Sequence, residues 1–206
     1  MKDRALYVNH NYIYYSNVDN NEVMTDTQVT NRVKWILKYA KELNYICPEF
    51  NWKRVAKDYF AIIEFESHFV NYWSMDDGRS TGITALMWST AQGIADHFED
   101  DFYFYENKNG KVVYNYNDRI YLRENVWLQI KYGMYYYYER LKDNLSEVDK
   151  NLPNYMSHVR RASWTEYNTG PGIDPNEERW RNYTFAIEGR ISYHSTLLQE
   201  WIEKEG

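Results

Sequence analysis

Apolar residues recur at intervals of three and four along most of the chain, and that spacing stacks them on one stripe of a helix. Val29, Val33, Ile36, Leu37, Ala40 and Leu43 predict a helix over 27–44, opened by a Thr25-x-x-Gln28 capping box. Val55, Tyr59, Ile62, Ile63 and Glu66 predict a second, starting near Asn51. Residues 88–98 read as a short helix and 124–144 as a long amphipathic one with Gly133 inside it. A glycine there costs about 1 kcal/mol relative to alanine, so the position predicts close helix packing. Pro153 suits the first turn of a further helix, with Met156, Val159, Ser163 and Tyr167 on one face and a stop at Asn168-Thr169-Gly170-Pro171-Gly172. Residues 176–203 read as a last helix carrying Trp180, Tyr183, Ile187 and Ile191 together. Period-two patterning is rarer. Residues 6–15 suggest a strand or extended arm, and 102–116 carry two aromatic or β-branched arms around Asn109-Gly110, a hairpin signal. The class is mainly α with a small β-hairpin.

The stretch 61–91, AIIEFESHFVNYWSMDDGRSTGITALMWSTA, organises the rest. An apolar helical run closes on Glu66-Ser67, a polar loop with a glycine follows, and a second apolar run ends in Ser89-Thr90-Ala91. That order places one carboxylate at the mouth of a groove. Glu66 points with the core, loses hydration, and so favours the protonated form that a general acid requires. The other reading of the same periodicity is a carboxylate at the fringe of the core, or one paired with a buried arginine.

Composition narrows the classes. At 206 residues with 44% hydrophobic content the chain suits one domain with an appendage. A net charge of −6 repels phosphate polymers and anionic lipid, which argues against nucleic acid as a partner. The 22 tyrosines fit either AT-rich coding or stacking on sugars. Cys47 is the single cysteine, so no internal disulfide forms. The five histidines lie at least 29 residues apart, and none makes the close pair of a helical zinc site. No Gly-rich phosphate loop is present. Neither a metal nor any other cofactor is expected. The first 21 residues lack the apolar core of a secretory signal, and no run approaches the roughly 20 apolar residues of a membrane span.

Ile62 to Phe69, IIEFESHF, resembles the Glu-Ser segment of the lytic transglycosylases and goose-type lysozymes. GITALMWSTAQGIA at 82–95 is similar to the Gly-Leu-Met-Gln…Pro-Ser-Thr-Ala run of that superfamily, matching at Gly82, Leu86, Met87, Ser89, Thr90 and Ala91. It departs at Ile83, Thr84, Ala85 and Trp88, so that Thr84-Ala85 stands where the family has the Met-Gln pair of its sugar site. Gln129-Ile130-Lys131-Tyr132-Gly133 with Tyr136 is similar to the Asn-Ile-x-x-Gly-x-x-Tyr helix, Gln replacing Asn. Tyr167-Asn168-Thr169-Gly170-Pro171-Gly172 looks like Tyr-Asn-Ala-Gly-Pro-Gly, and Arg181-Asn182-Tyr183 is similar to the closing Glu-Thr-x-x-Tyr segment, with Arg179-Trp180 for Glu-Thr. These segments fall in family order across residues 50–200.

The resemblance implies a lysozyme-like α+β helical domain over 25–206, with an N-terminal arm at 1–24 and a hairpin insertion at about 100–120. That insertion either extends a saccharide groove or caps the domain. It implies cleavage of the β-1,4 bond between N-acetylmuramic acid and N-acetylglucosamine in peptidoglycan, with a 1,6-anhydro product. Glu66 is the implied acid and base, Tyr167 holds it through its hydroxyl, and Asn168 and Met87 contact substrate. Ser67 bonds the Glu or a sugar, or is simply a polar helix-end residue. Two alternatives stay open. One is a hydrolytic muramidase in which Asp76 or Asp77 positions the attacking water, each being otherwise a solvated turn acid. The other is a non-catalytic glycan-binding virion protein. By analogy the chain fits a phage enzyme made in the cytoplasm, released by lysis or carried with virion or tail proteins, and acting on the bacterial wall.

Overall fold

The computed structural model describes residues 6–9, 12–15, 26–67, 69, 71, 79–171, 177–193 and 195–205. Helices dominate: α1 (Asp26–Glu42), α2 (Trp52–Ser67), α3 (Trp88–His97), α4 (Tyr116–Glu124), α5 (Val126–Glu147), α6 (Tyr155–Thr169), α7 (Glu178–Tyr193) and α8 (Ser195–Glu205). Three antiparallel two-stranded ribbons accompany them: β1 (Leu6–Asn9) with β2 (Tyr12–Tyr15), β3 (Ser80–Thr81) with β4 (Leu86–Met87), and β5 (Glu106–Lys108) with β6 (Lys111–Val113).

The long helix α5 is the axis. It packs on α6 and α1, while α2 lies between α1 and α7. Tyr132, Met134, Tyr137, Tyr138 and Leu141 are fully buried along α5. Gly133 lets the neighbours in: a Cβ there overlaps the Tyr59 hydroxyl and comes within 2.7 Å of the Tyr167 hydroxyl and 3.2 Å of the Thr84 Cβ. The close packing expected at this glycine is therefore present, and it brings α2, α6 and the β3–β4 turn to one point.

Asn51 starts α2 by accepting the Lys53 amide at 2.9 Å, as an N-cap does. Two turns below the end of α2, Asp58 is 1% exposed and carries the strongest polar contact of the core. Arg160 of α6 donates to both its oxygens, at 2.7 and 2.5 Å, and the Tyr137 hydroxyl donates to it at 3.0 Å. Trp164 in turn donates its indole N–H to the Tyr137 oxygen at 2.9 Å. A buried charge is tolerable only when paired and hydrogen-bonded in this way.

Several boundaries differ from the sequence expectation. Asn109 (φ 53°) and Gly110 (φ 78°) form the expected tight turn, but the segment after it is helical, because Asn115 caps α4 by accepting the amides of Asn117 and Asp118 at 3.0 and 3.4 Å. α6 begins at Tyr155, since Asn154 takes a left-handed conformation (φ 58°) that a helix interior excludes. Pro153 thus lies in the preceding turn. Met156 is exposed, not on the buried face with Val159, Ser163 and Tyr167. The expected last helix is described as α7 and α8 on either side of residue 194, which lies outside the described residues, and the buried stripe of Trp180, Tyr183, Ile187 and Ile191 belongs to α7. The Thr25 half of the first capping box lies outside the described residues.

Candidate active-site cleft

Glu66 is the penultimate residue of α2 and is half-buried. The C-terminal turn of α6 brings Asn168 to it, and the Asn168 amide donates to Oε1 at 2.9 Å and Oε2 at 3.1 Å. From α7, the Tyr183 hydroxyl donates to Oε1 at 2.8 Å. Both are donors to a carboxylate, the charge-assisted type of hydrogen bond, roughly twice as strong as a neutral one. Burial, and then the negative charge of Glu66, push the Tyr183 phenol well above its ordinary value, so it stays protonated as a donor.

Glu66 opens onto a cleft of about 280 Å³. Thr84, Ala85, Leu86 and Met87 form one wall, and Tyr167 to Pro171 with Tyr136 of α5 form the other. Met87 is 46% exposed at the lip. Glu66 is the single acid among the described residues lining the cleft.

The first wall is held rigidly from behind. Gly82 takes φ 80° and Ala85 φ 49°, folding the β3–β4 turn tightly. Gln129 of α5 reaches into that turn, accepting the Ile83 amide at 2.9 Å while donating to the carbonyls of Leu122 and Arg123 at 2.9 and 3.0 Å. Ser67 donates from α2 to the Ile83 carbonyl at 2.6 Å. Tyr167 donates from α6 to the Thr84 carbonyl at 3.2 Å. Three helices therefore fix one four-residue turn.

Two sequence expectations are corrected by this geometry. Ser67 is fully buried, contacts the carbonyls of Ile63 and Ile83 and is not among the residues lining the cleft, which is the helix-end reading of it and not the contact to Glu66 or a sugar; one residue beyond Glu66 turns it about 100° around the helix. Tyr167 lines the cleft, but its hydroxyl bonds the Thr84 carbonyl, and Asn168 with Tyr183 holds Glu66. Glu66, Met87, Tyr167 and Asn168 are brought together as expected. Asp76 and Asp77 lie outside the described residues. Tyr183 and Tyr136 were not singled out as site residues, although a tyrosine on an apolar helix face carries a hydroxyl that must find a partner once buried.

Among the described residues no group of three or more His, Cys, Asp or Glu is placed to hold a metal, and no helix is long and apolar enough to cross a membrane. Comparison of the chain with family models, curated proteins and solved structures found no match.

Proposed function

We propose that this chain is a peptidoglycan-cleaving lytic transglycosylase with a lysozyme-like helical domain. The observation that carries the reading is Glu66, half-buried at a cleft and fixed by two donors on two different helices. A carboxyl group that must give and then take a proton at a sugar oxygen has to be held in one orientation, and this one is. Glu66 protonates the glycosidic oxygen, the substrate's own acetamido group stabilises the oxocarbenium-like centre, and the resulting carboxylate takes the proton of the 6-hydroxyl as the 1,6-anhydro ring closes. Asn168 and Tyr183 stabilise the carboxylate between the two steps. The reaction needs one carboxyl group, which is what the described cleft contains.

The test is mass spectrometry of soluble products from purified peptidoglycan, with wild type and Glu66→Gln in parallel. Anhydro-muropeptides from wild type alone are expected. Reducing muropeptides would move the assignment to a hydrolase, with Asp76 or Asp77 as the second acid. No product from either protein would leave a glycan-binding role.

A further inference from the structure

Among the described residues, the β5–β6 hairpin is hydrogen-bonded to the helices at its root. Gln92 of α3 accepts the Phe104 and Tyr105 amides at 2.5 and 3.2 Å and donates to the Phe102 carbonyl at 3.1 Å. Phe104 is fully buried beside Trp88. Beyond that root every strand residue is half-exposed or exposed. Such a ribbon covers no core, so capping does not account for its apolar residues.

The charged residues of the ribbon are confined to one face. The register pairs Asn107 with Val112 and Glu106 with Val113, and side chains alternate along each strand. One face carries Glu106, Lys108, Lys111 and the exposed Val113, with Lys108 and Glu106 ion-paired at 2.6 Å. The other carries Asn107 and Val112 and continues into Tyr105 and Tyr114, whose rings lie 6.0 Å apart. Val112 is 45% and Tyr114 41% exposed. The uncharged face is therefore a strip of ring, methyl and amide surface open to solvent.

The strip is linked to the lip of the cleft by a stack of side chains whose inner member, Trp88, is buried. The Arg119 guanidinium lies 4.3 Å from the Tyr114 ring and 4.1 Å from the Trp88 ring, and Trp88 directly follows the cleft-lip residue Met87. The cleft's 280 Å³ falls just below the roughly 300–1,000 Å³ range of ligand pockets, so a polymer cleaved there must run out over neighbouring surface. A pyranose presents an apolar C–H face with hydroxyl and acetamido groups at its rim. Tyrosine rings match the first and a side-chain amide the second.

We propose that the uncharged face of this hairpin, Tyr105, Asn107, Val112 and Tyr114, is a docking strip for the β-1,4-linked amino-sugar strand as it leaves the Met87 end of the cleft. This rests on the proposed reading of the cleft, and it assigns the insertion to groove extension. The test uses full-length protein carrying Glu66→Gln, so that binding to purified peptidoglycan sacculi is read without cleavage. Adding Val112→Glu, or separately Tyr114→Ala, is expected to raise the apparent Kd about tenfold, the scale of one lost aromatic or apolar contact. Adding Lys111→Gln on the charged face leaves it unchanged. The deficit shrinks on soluble fragments too short to leave the cleft. Val112 is exposed, so Val112→Glu keeps the fold, checked by an unaltered melting temperature, should Tyr114→Ala not. If Glu66→Gln binds sacculi and Val112→Glu binds equally well, the strip is wrong and the cleft reading stands. If sedimentation shows that Val112→Glu instead dissociates a dimer, the occupant is a second copy and the inference is overturned. If wild type neither binds nor cleaves, the reading of the cleft fails first.

Discussion

Replacing Gly133 by alanine sets two effects of known size against each other. In a solvent-facing helix interior the change stabilises by about 1 kcal/mol. Here the added methyl overlaps the Tyr59 hydroxyl and sits 2.7 Å from the Tyr167 hydroxyl, well inside contact distance. Neither ring has room to retreat: Tyr59 is fully buried, its ring 6.3 Å from Tyr137 and 6.0 Å from Tyr167. Overpacking of that kind costs about 1–3 kcal/mol. Displacing Tyr167 also breaks its bond to the Thr84 carbonyl, worth about 0.5–1.5 kcal/mol. The cost exceeds the helix gain, so Gly133→Ala is expected to destabilise by about 1–3 kcal/mol. At roughly 2–4 °C per kcal/mol for a chain of this size, the melting temperature falls by roughly 2–12 °C in a thermal scan followed by circular dichroism. Tyr59→Phe removes the hydroxyl that the methyl strikes, so the double variant recovers most of the loss. A Gly133→Ala protein that melts at or above wild type, or a double variant that adds the two losses, would refute the packing account.

The roles of Tyr183 and Tyr167 separate by substitution. Tyr183→Phe removes a donor to a carboxylate, worth about 1.5–3 kcal/mol, and is expected to lower kcat about tenfold to a hundredfold and the melting temperature by roughly 3–12 °C. Tyr167→Phe removes a neutral bond to the Thr84 carbonyl and is expected to cost more in stability than in turnover; the reverse pattern would return the orienting role to Tyr167. Asp58→Asn leaves the Arg160 guanidinium buried without its counter-charge, at about 3–5 kcal/mol, which corresponds to a melting temperature lower by roughly 6–20 °C. The phenols of Tyr59, Tyr137 and Tyr183 are raised well above their ordinary value of 10.0, foremost by burial. The unfolded chain therefore loses these protons first, so stability is intact below pH 10 and falls as pH rises above it; ultraviolet titration shows them ionising only with unfolding. Burial, then the charge of Glu49, push the Cys47 thiol up to about 12, so a disulfide reagent labels it at neutral pH only after denaturation.

What was legible in the sequence is what local spacing determines. The stripe ending in Glu66 had to bury Val55, Tyr59, Ile62 and Ile63, and that fixed the direction of the carboxylate before any neighbour was known. Gly133 was readable because its helix cost demanded a reason. Asn109-Gly110 announced its turn by backbone preference alone. Other features depend on contacts distant in the chain. Tyr167 and Tyr183 are both buried phenols, and which one reaches Glu66 is decided by how α6 and α7 rotate against α2. Asp58 lies within the same buried helix as Glu66 and has Arg54 one turn before it at 3.5 Å, but the bidentate partner that accounts for its burial, Arg160, is 102 residues away and is marked by no local pattern. α4 escaped because its sequence is polar and its cap, Asn115, was absorbed into the aromatic arm of the hairpin.

The division of labour around the cleft follows from what each wall must do. The β3–β4 turn has little internal structure of its own, with two short strands and two residues at positive φ, and cannot hold a shape unaided. Gln129, Ser67 and Tyr167 each contribute one hydrogen bond to it from a different helix. A Tyr167 hydroxyl committed to the Thr84 carbonyl is not available to donate to Glu66 as well, since a phenol has one proton to donate. Fixing the wall from α6 therefore leaves orientation of the carboxylate to other donors, and the residue that follows Tyr167, together with the tyrosine that α7 packs edge-on against Phe65 at 4.8 Å, supplies them. The consequence is a carboxylate whose orientation reports on the docking of α7. Phe65, between Tyr183 and the Arg190 guanidinium 4.8 Å from its ring, is the contact through which a disturbance of α7 reaches Glu66 without touching the cleft.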